Sequence, residues 1–357
     1  MRTVFALPEN TQEVTSMKRI SRRDFIRLFG AGAGAVTLNH LLAACGRSLK
    51  TYETSIPSSP TNTTVPNETS PVGGSTAAPA STATPFTAPD LVVARGGQPE
   101  EMVRKGIAAI GGMERFVPQG ARVIVKPNIC VAYHTYEYAA TTNPWVVGTL
   151  VKMALEAGAG SVQVMDFPFG GTAEQAYVRS GIDEQVRAAG GEMVSMPGFK
   201  YSTVDIPQGL SINSTEAFKD ALEADVLIDV PIAKHHGSTR LTLGMKNLMG
   251  LILDRGAIHM NLGQRIADLT TLFHPTLTVV DAVRILMDNG PTGGNLNDVN
   301  QMDTVIVSPD IVAADSYATT LFGLQPTDIS YIRAASDMGL GRSDLNNLRI
   351  EEIYAGV

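Results

Sequence analysis

Four short polar stretches fall directly after apolar, β-branched runs, and their residue types suit anion handling and proton transfer. Lys126-Pro127-Asn128 follows Val125, Asp166 follows Met165, Lys234-His235-His236 comes just after Val230, and Asp281 follows Val280. In open parallel sheets ligands bind outside the carboxyl ends of the strands, so these groups are expected to converge on one crevice. The densest stretch runs from Lys234 through Arg240 to Lys246-Asn247, with Arg255 and His259 beyond it. Cations crowded into an acidic chain repel one another unless carboxylates, water or a bound anion offset them. Lys126, Asn128, Lys234, Arg240, Lys246, Asn247 and Arg255 are therefore expected to contact an anion or cofactor. His235 or His259 is expected to act as the acid/base, since imidazole titrates near neutrality, and the imidazoles are also available for metal ligation. Asp166, Asp281 and Asp315 are expected to stand behind these groups as their partners. Adjacent histidines point in different directions in an extended segment, so at most one of His235 and His236 faces a given site. No HExxH or HxH spacing occurs, and no metal is specified by pattern.

The elements that must position these residues read as alternating strands and helices. Strands are predicted at Leu91–Ala94, Arg122–Val125, Ser161–Met165, Asp225–Val230, Thr276–Val280 and Thr304–Val307, several of them continuous apolar runs that suit burial on both faces. Helices are predicted at Pro99–Ile110, Pro144–Ala157, Thr172–Arg179, Leu241–Leu253, Gly263–Phe273 and Asp310–Phe322. Asn143 before Pro144 is a good helix start and Gly158 a good stop. The alternation predicts an α/β domain over residues 90–357: a mainly parallel sheet with helices on both faces, as one domain or two joined lobes. Gly290-Pro291-Thr292-Gly293-Gly294 forms a further loop that is neither a P-loop nor a dinucleotide fingerprint.

Ahead of this domain, Ser21-Arg22-Arg23-Asp24-Phe25 and a mild apolar run ending Leu42-Ala43-Ala44-Cys45 resemble a twin-arginine export signal joined to a lipoprotein cleavage box. Met17 is an alternative start. About 15 apolar residues are too few to span a bilayer. The resemblance implies passage through the twin-arginine machinery, acylation of Cys45 and a position outside the cytoplasmic membrane, anchored to it by lipid. Export in the folded state is suggestive of a metal or other cofactor loaded beforehand. Residues 46–89, rich in Ser, Thr, Pro and Ala, are expected to be a disordered tether. The formal charge of −7 gives no electrostatic case for nucleic acid. Of the two cysteines, Cys130 alone would remain free, which excludes a cysteine set for an iron–sulfur cluster.

Lys126-Pro127-Asn128, Lys234-His235, Gly244-Met245-Lys246-Asn247-Leu248-Met249-Gly250 and Asp254-Arg255 with His259 together resemble the family named domain of unknown function 362. Val280-Asp281-Ala282, Gly290-Pro291 and Asp310-Ile311-Val312-Ala313-Ala314-Asp315 fit the same pattern. The resemblance covers nearly all of residues 90–357. It implies an α/β domain, sometimes accompanied by an iron–sulfur module that this chain lacks, and it assigns no reaction. Two expectations stand: an enzyme acting on an anionic small molecule, or a tethered protein that captures a solute or metal complex without catalysis.

Overall fold

The computed structural model describes residues 87–356. The predicted signal, Cys45 and the linker up to residue 86 lie outside the described residues. Strands β1 (Leu91–Arg95), β2 (Arg122–Pro127), β3 (Ser161–Val164), β4 (Glu192–Met193), β7 (Val226–Val230), β10 (Leu277–Leu286), β11 (Val299–Ser308) and β12 (Ile350–Tyr354) form one sheet in the order β12-β1-β11-β10-β7-β2-β3-β4. The run β10-β7-β2-β3-β4 is parallel, and β11 is antiparallel to both its neighbours. Strands β5 (Tyr201–Asp205) and β6 (Ser214–Phe218) make a separate hairpin. The described residues, 87–356, belong to a single compact unit.

The pleat sorts the apolar residues between two helical layers. Val123 and Val125 of β2, Val226 and Ile228 of β7, and Val279 and Val283 of β10 face one core. That core is completed by helices α1 (Pro99–Ala109), α2 (Pro144–Glu156), α3 (Ala173–Arg179) and α4 (Ile182–Ala188). Ile124, Leu227, Val280 and Ala282 face the other, against α7 (Leu262–Phe273), α8 (Ile311–Thr320) and α9 (Ser330–Asp337). Alternate side chains of a strand take opposite faces, so Lys126 and Asp229 belong to the second layer with Ile124 and Leu227. Asn143 caps α2 as its sequence suggests, its side chain accepting from the Trp145 N–H at 3.0 Å.

The segment predicted as one helix over Leu241–Leu253 is instead broken. Strand β8 (Ile232–His236) pairs with β10 and with a short β9 (Arg240–Thr242). One helical turn follows, α5 (Gly244–Asn247), which tightens into a 3₁₀ turn at Leu248–Leu251. A second short turn, α6 (Arg255–Ile258), carries the chain to α7. Leu241, Leu243, Met245, Leu248, Met249, Leu251 and Ile252 are all in the core. An amphipathic stripe would need a solvent face, and this segment has almost none.

Candidate functional site

The carboxyl end of β2 meets the α5 turn at a buried ion pair. Lys126 is fully buried, and its Nζ donates to Asp166 Oδ1 at 2.8 Å, to Asn247 Oδ1 at 2.8 Å and to the Pro127 carbonyl at 2.9 Å. The other oxygen of Asp166 accepts from the Ile129 N–H at 2.5 Å. Asn247 returns the contact, its Nδ2 donating to the Lys126 carbonyl at 3.1 Å and to Asp229 Oδ1 at 2.8 Å. Burial holds the Asp229 carboxyl well above its usual range, and its second oxygen has no partner among the described residues.

A second lysine sits beside the first. Lys234, from β8, donates to the Ala140 carbonyl at 2.6 Å, the Pro291 carbonyl at 3.0 Å and Asn128 Oδ1 at 3.0 Å. Asn128 joins the two halves by donating to Asn247 Oδ1 at 3.0 Å. An ammonium has three protons, so Lys126 and Lys234 are both fully engaged by the fold. Lys234 has only neutral oxygens in that shell, and burial pushes its pKa down.

Above this floor lies a cavity of ≈ 300 Å³, whose walls include Cys130, Phe167, Phe169, His236, Lys246, Met249, Arg255 and His259. That volume is at the lower end for small-molecule sites. Lys246 is half-buried, and its polar contact is the Met249 sulfur at 3.8 Å. Burial, with Lys234 nearby, pulls its pKa down to about 8. Arg255 lies over the Phe167 ring at 4.6 Å and donates to the Phe167 carbonyl at 2.9 Å, which leaves most of its donors free. His259 Nδ1 donates to the Arg255 carbonyl at 2.8 Å, so in the neutral ring Nε2 is the acceptor. Three lysines and an arginine thus face one carboxylate, Asp166, around this cavity.

Several expected residues stand elsewhere. His235 takes the face of β8 opposite Lys234 and His236; its Nδ1 accepts from the Gly290 N–H at 3.1 Å. The cavity imidazole of this pair is His236, two residues from Lys234 and so on the same face of the pleat. Its Nδ1 accepts from the Ser238 N–H at 3.1 Å, which leaves the ring proton on Nε2. Burial, reinforced by Lys246 and Lys234, lowers its pKa to about 3, so the ring is a neutral donor. Arg240 is exposed and pairs with Asp328 at 3.4 Å, away from the cavity.

Asp281 lies in the middle of β10, not at its end, and faces the α2 layer. There it accepts from the Asn143 N–H at 2.7 Å and the Val283 N–H at 3.0 Å, and burial raises its pKa to about 6. Asp315 supports the site from behind. From α8 it accepts the Gly244 N–H at 2.7 Å and the Met245 N–H at 3.0 Å, anchoring the first turn of α5. Burial raises its pKa to about 7. Among the described residues no group of three His, Cys, Asp or Glu side chains is arranged to hold a metal ion. No helix among them is long and apolar enough to cross a membrane.

Comparison with known proteins places these motifs. The family model described as Domain of unknown function (DUF362) matches residues 123–320, and the chain belongs to that family. A thylakoid-associated protein of Synechocystis sp. is 28% identical over 247 residues, covering 67% of this chain and 74% of that protein. Among solved structures, the lactate racemase apoprotein of Thermoanaerobacterium thermosaccharolyticum aligns with 12% identity and a TM-score of 0.40, over 60% of this chain and 53% of the racemase. A protein of Thermotoga maritima aligns with 14% identity and a TM-score of 0.41, over 64% of this chain and 60% of that one. The chain thus spans little more than half the length of these two solved structures.

Proposed function

We propose that this member of the DUF362 family is an enzyme that takes an anionic small molecule into the Lys246–Arg255 cavity and moves a proton there. One observation carries the reading. Lys126 and Lys234 are saturated by the fold, whereas Lys246 and Arg255 line the cavity with donors to spare and no carboxylate partner among the described residues. A bound carboxylate or phosphate would supply the missing counter-charge through charge-assisted hydrogen bonds. His259 offers a free Nε2 at the same wall for proton transfer, and the neutral His236 offers a donor.

Calorimetry with inorganic phosphate and a panel of small carboxylates tests this. Lys246→Ala is expected to weaken the best ligand by about 1.5–3 kcal/mol, the scale of a hydrogen bond to a charged group, or roughly ten- to a hundred-and-fifty-fold. The wild-type affinity should fall as pH rises through about 8, where the Lys246 ammonium is lost, and the variant should lack that step. Unchanged affinity in Lys246→Ala removes the lysine from the site. His259→Gln should spare binding and abolish turnover; loss of binding in that variant would favour solute capture without catalysis.

The same reading places the domain outside the cytoplasmic membrane, exported through the twin-arginine route and held by an acylated Cys45. Its support is the order Arg22-Arg23, apolar run, Cys45 in the sequence, and a relative that is thylakoid-associated. One acyl chain gives weak anchoring and two or three give a stable anchor.

A further inference from the structure

The three cavity lysines are not equivalent, and the difference points to covalent chemistry. Lys126 and Lys234 have all three protons donated to oxygens of the fold. Lys246 has only a thioether sulfur, a weak acceptor, within reach. It is also flanked by the Lys234 charge and by apolar surface from Met249, the setting in which an amine is most readily stripped of its proton. At neutral pH roughly a tenth of Lys246 carries a free lone pair, given its lowered pKa of about 8.

Its neighbours suit an electrophile with a negative tail. Arg255 is fixed by the Phe167 ring and carbonyl, so its unused N–H groups form a stationary anion clamp. His236 presents a neutral Nε2–H, a donor that polarises a carbonyl oxygen without carrying charge. His259 keeps Nε2 free to take up a proton and return it.

We propose that the ligand is an anionic carbonyl compound and that Lys246 condenses with its carbonyl carbon to form an imine; this rests on the anion-site reading above. The Lys246 ammonium gives a proton to His259 Nε2. The freed nitrogen lone pair attacks the carbonyl carbon, and the π electrons move to oxygen, near the His236 donor. Proton transfer from nitrogen to oxygen gives the neutral carbinolamine. His259 returns its proton to the hydroxyl, the C–O bond breaks and water leaves. The net change is ammonium plus carbonyl to iminium plus water, with no oxidant or reductant required. The carbon next to the iminium is then an acidic position, and the enzyme's proton transfer acts there.

The test incubates the full-length protein with pyruvate or, separately, dihydroxyacetone phosphate in the presence of cyanoborohydride, followed by intact-mass measurement and peptide mapping. These two arms distinguish a carboxylate from a phosphate ligand. Expected is one adduct per chain, on Lys246, from one of the two compounds, with labelling suppressed by the matching analogue that lacks a carbonyl, propionate or glycerol 3-phosphate. Lys246→Arg should abolish the adduct. The peptide map of the wild type decides even if that variant does not fold. Analogue binding by calorimetry without an adduct on Lys246 overturns the imine and leaves the anion site standing. An adduct spread over surface lysines and unaffected by the analogues also overturns it. Absence of binding by all four compounds and by inorganic phosphate overturns the imine and the anion site together.

Discussion

Gly250 lies over the Lys126–Asp166 pair, and replacing it with alanine tests how tightly the floor of the cavity is built. A Cβ at this position would fall on Asp166 Oδ1 and lie 2.7 Å from Lys126 Nζ and 2.9 Å from its Cε. Neither group can step aside. Lys126 is held by three hydrogen bonds, and the second oxygen of Asp166 is held by the Ile129 N–H. Breaking a buried ion pair costs about 3–5 kcal/mol, because a charge is left without its partner. The pair here is displaced rather than deleted, and alanine recovers about 1 kcal/mol over glycine in a helical segment. A net loss of about 2–4 kcal/mol follows, which for a domain of this size lowers Tm by roughly 4–16 °C.

Thermal unfolding by circular dichroism reads this directly. Gly237→Ala is the internal control, since a Cβ there meets nothing within 4 Å. Its Tm should stay within about 2 °C of wild type, the scale of a surface substitution away from special features. If Gly250→Ala melts with the control, the ion pair is not clamped as described, and the account of why Lys246 alone is free loses its basis.

Asp315 gives a pH test. Its folded pKa is raised to about 7 from 3.8, chiefly by burial, so the folded state holds a proton that the unfolded chain releases earlier. The stability this contributes is fully present below about pH 4 and is lost as pH rises through about 7. The stability of wild type relative to Asp315→Asn should therefore decline from pH 4 to pH 7; a flat difference in urea titrations across that range would contradict the buried carboxylate. For location, Arg22→Lys with Arg23→Lys should block export, and Cys45→Ala should release the protein from membranes or leave it unprocessed. Normal export of the double-lysine variant, together with no acyl group on wild-type Cys45, would remove that proposal.

The layer architecture was readable because strands buried on both faces leave continuous apolar runs, as in Val226-Leu227-Ile228, and because Asn143-Pro144 announces a helix on its own. Strand β8 was not, since Ile232-Ala233-Lys234-His235-His236 carries three polar residues in five. Its polar atoms are satisfied by carbonyls from Ala140 and Pro291, far away in sequence, which is what allows Lys234 into the core. Asp281 misled for a related reason. β10 runs six residues beyond Val280, so the carboxylate is a mid-strand group bonded to the α2 layer rather than a strand-end group facing the cavity. The helix predicted over Leu241–Leu253 overran its ends: Gly244–Leu251 is helical, whereas Leu241 and Thr242 belong to β9 and Ile252 is extended. Gly244 and Gly250 were the available signals: Gly244 packs beside Asp315 and Asp229, and Gly250 beside Asp166 and Lys126. Neither place has room for a side chain.

The cations themselves were visible in the sequence; their division of labour was not. Once β8 is known to be extended, choosing Lys234 selects His236 by the two-residue pleat and turns His235 away, an inference the sequence permits. Which lysine can meet a ligand is a different kind of question. It depends on counting main-chain acceptors, and those come from Pro127, Ala140 and Pro291, whose carbonyls leave no trace in composition or spacing. A lysine whose three protons are taken contributes charge and rigidity. One that faces a sulfur contributes charge, free donors and, when neutral, a nucleophile. Of the two spent lysines only Lys234 bears on the third: its charge, with burial, raises the cost of protonating Lys246. That arrangement gives the fold a reason to bury positive charge where a simple anion trap would keep it in water.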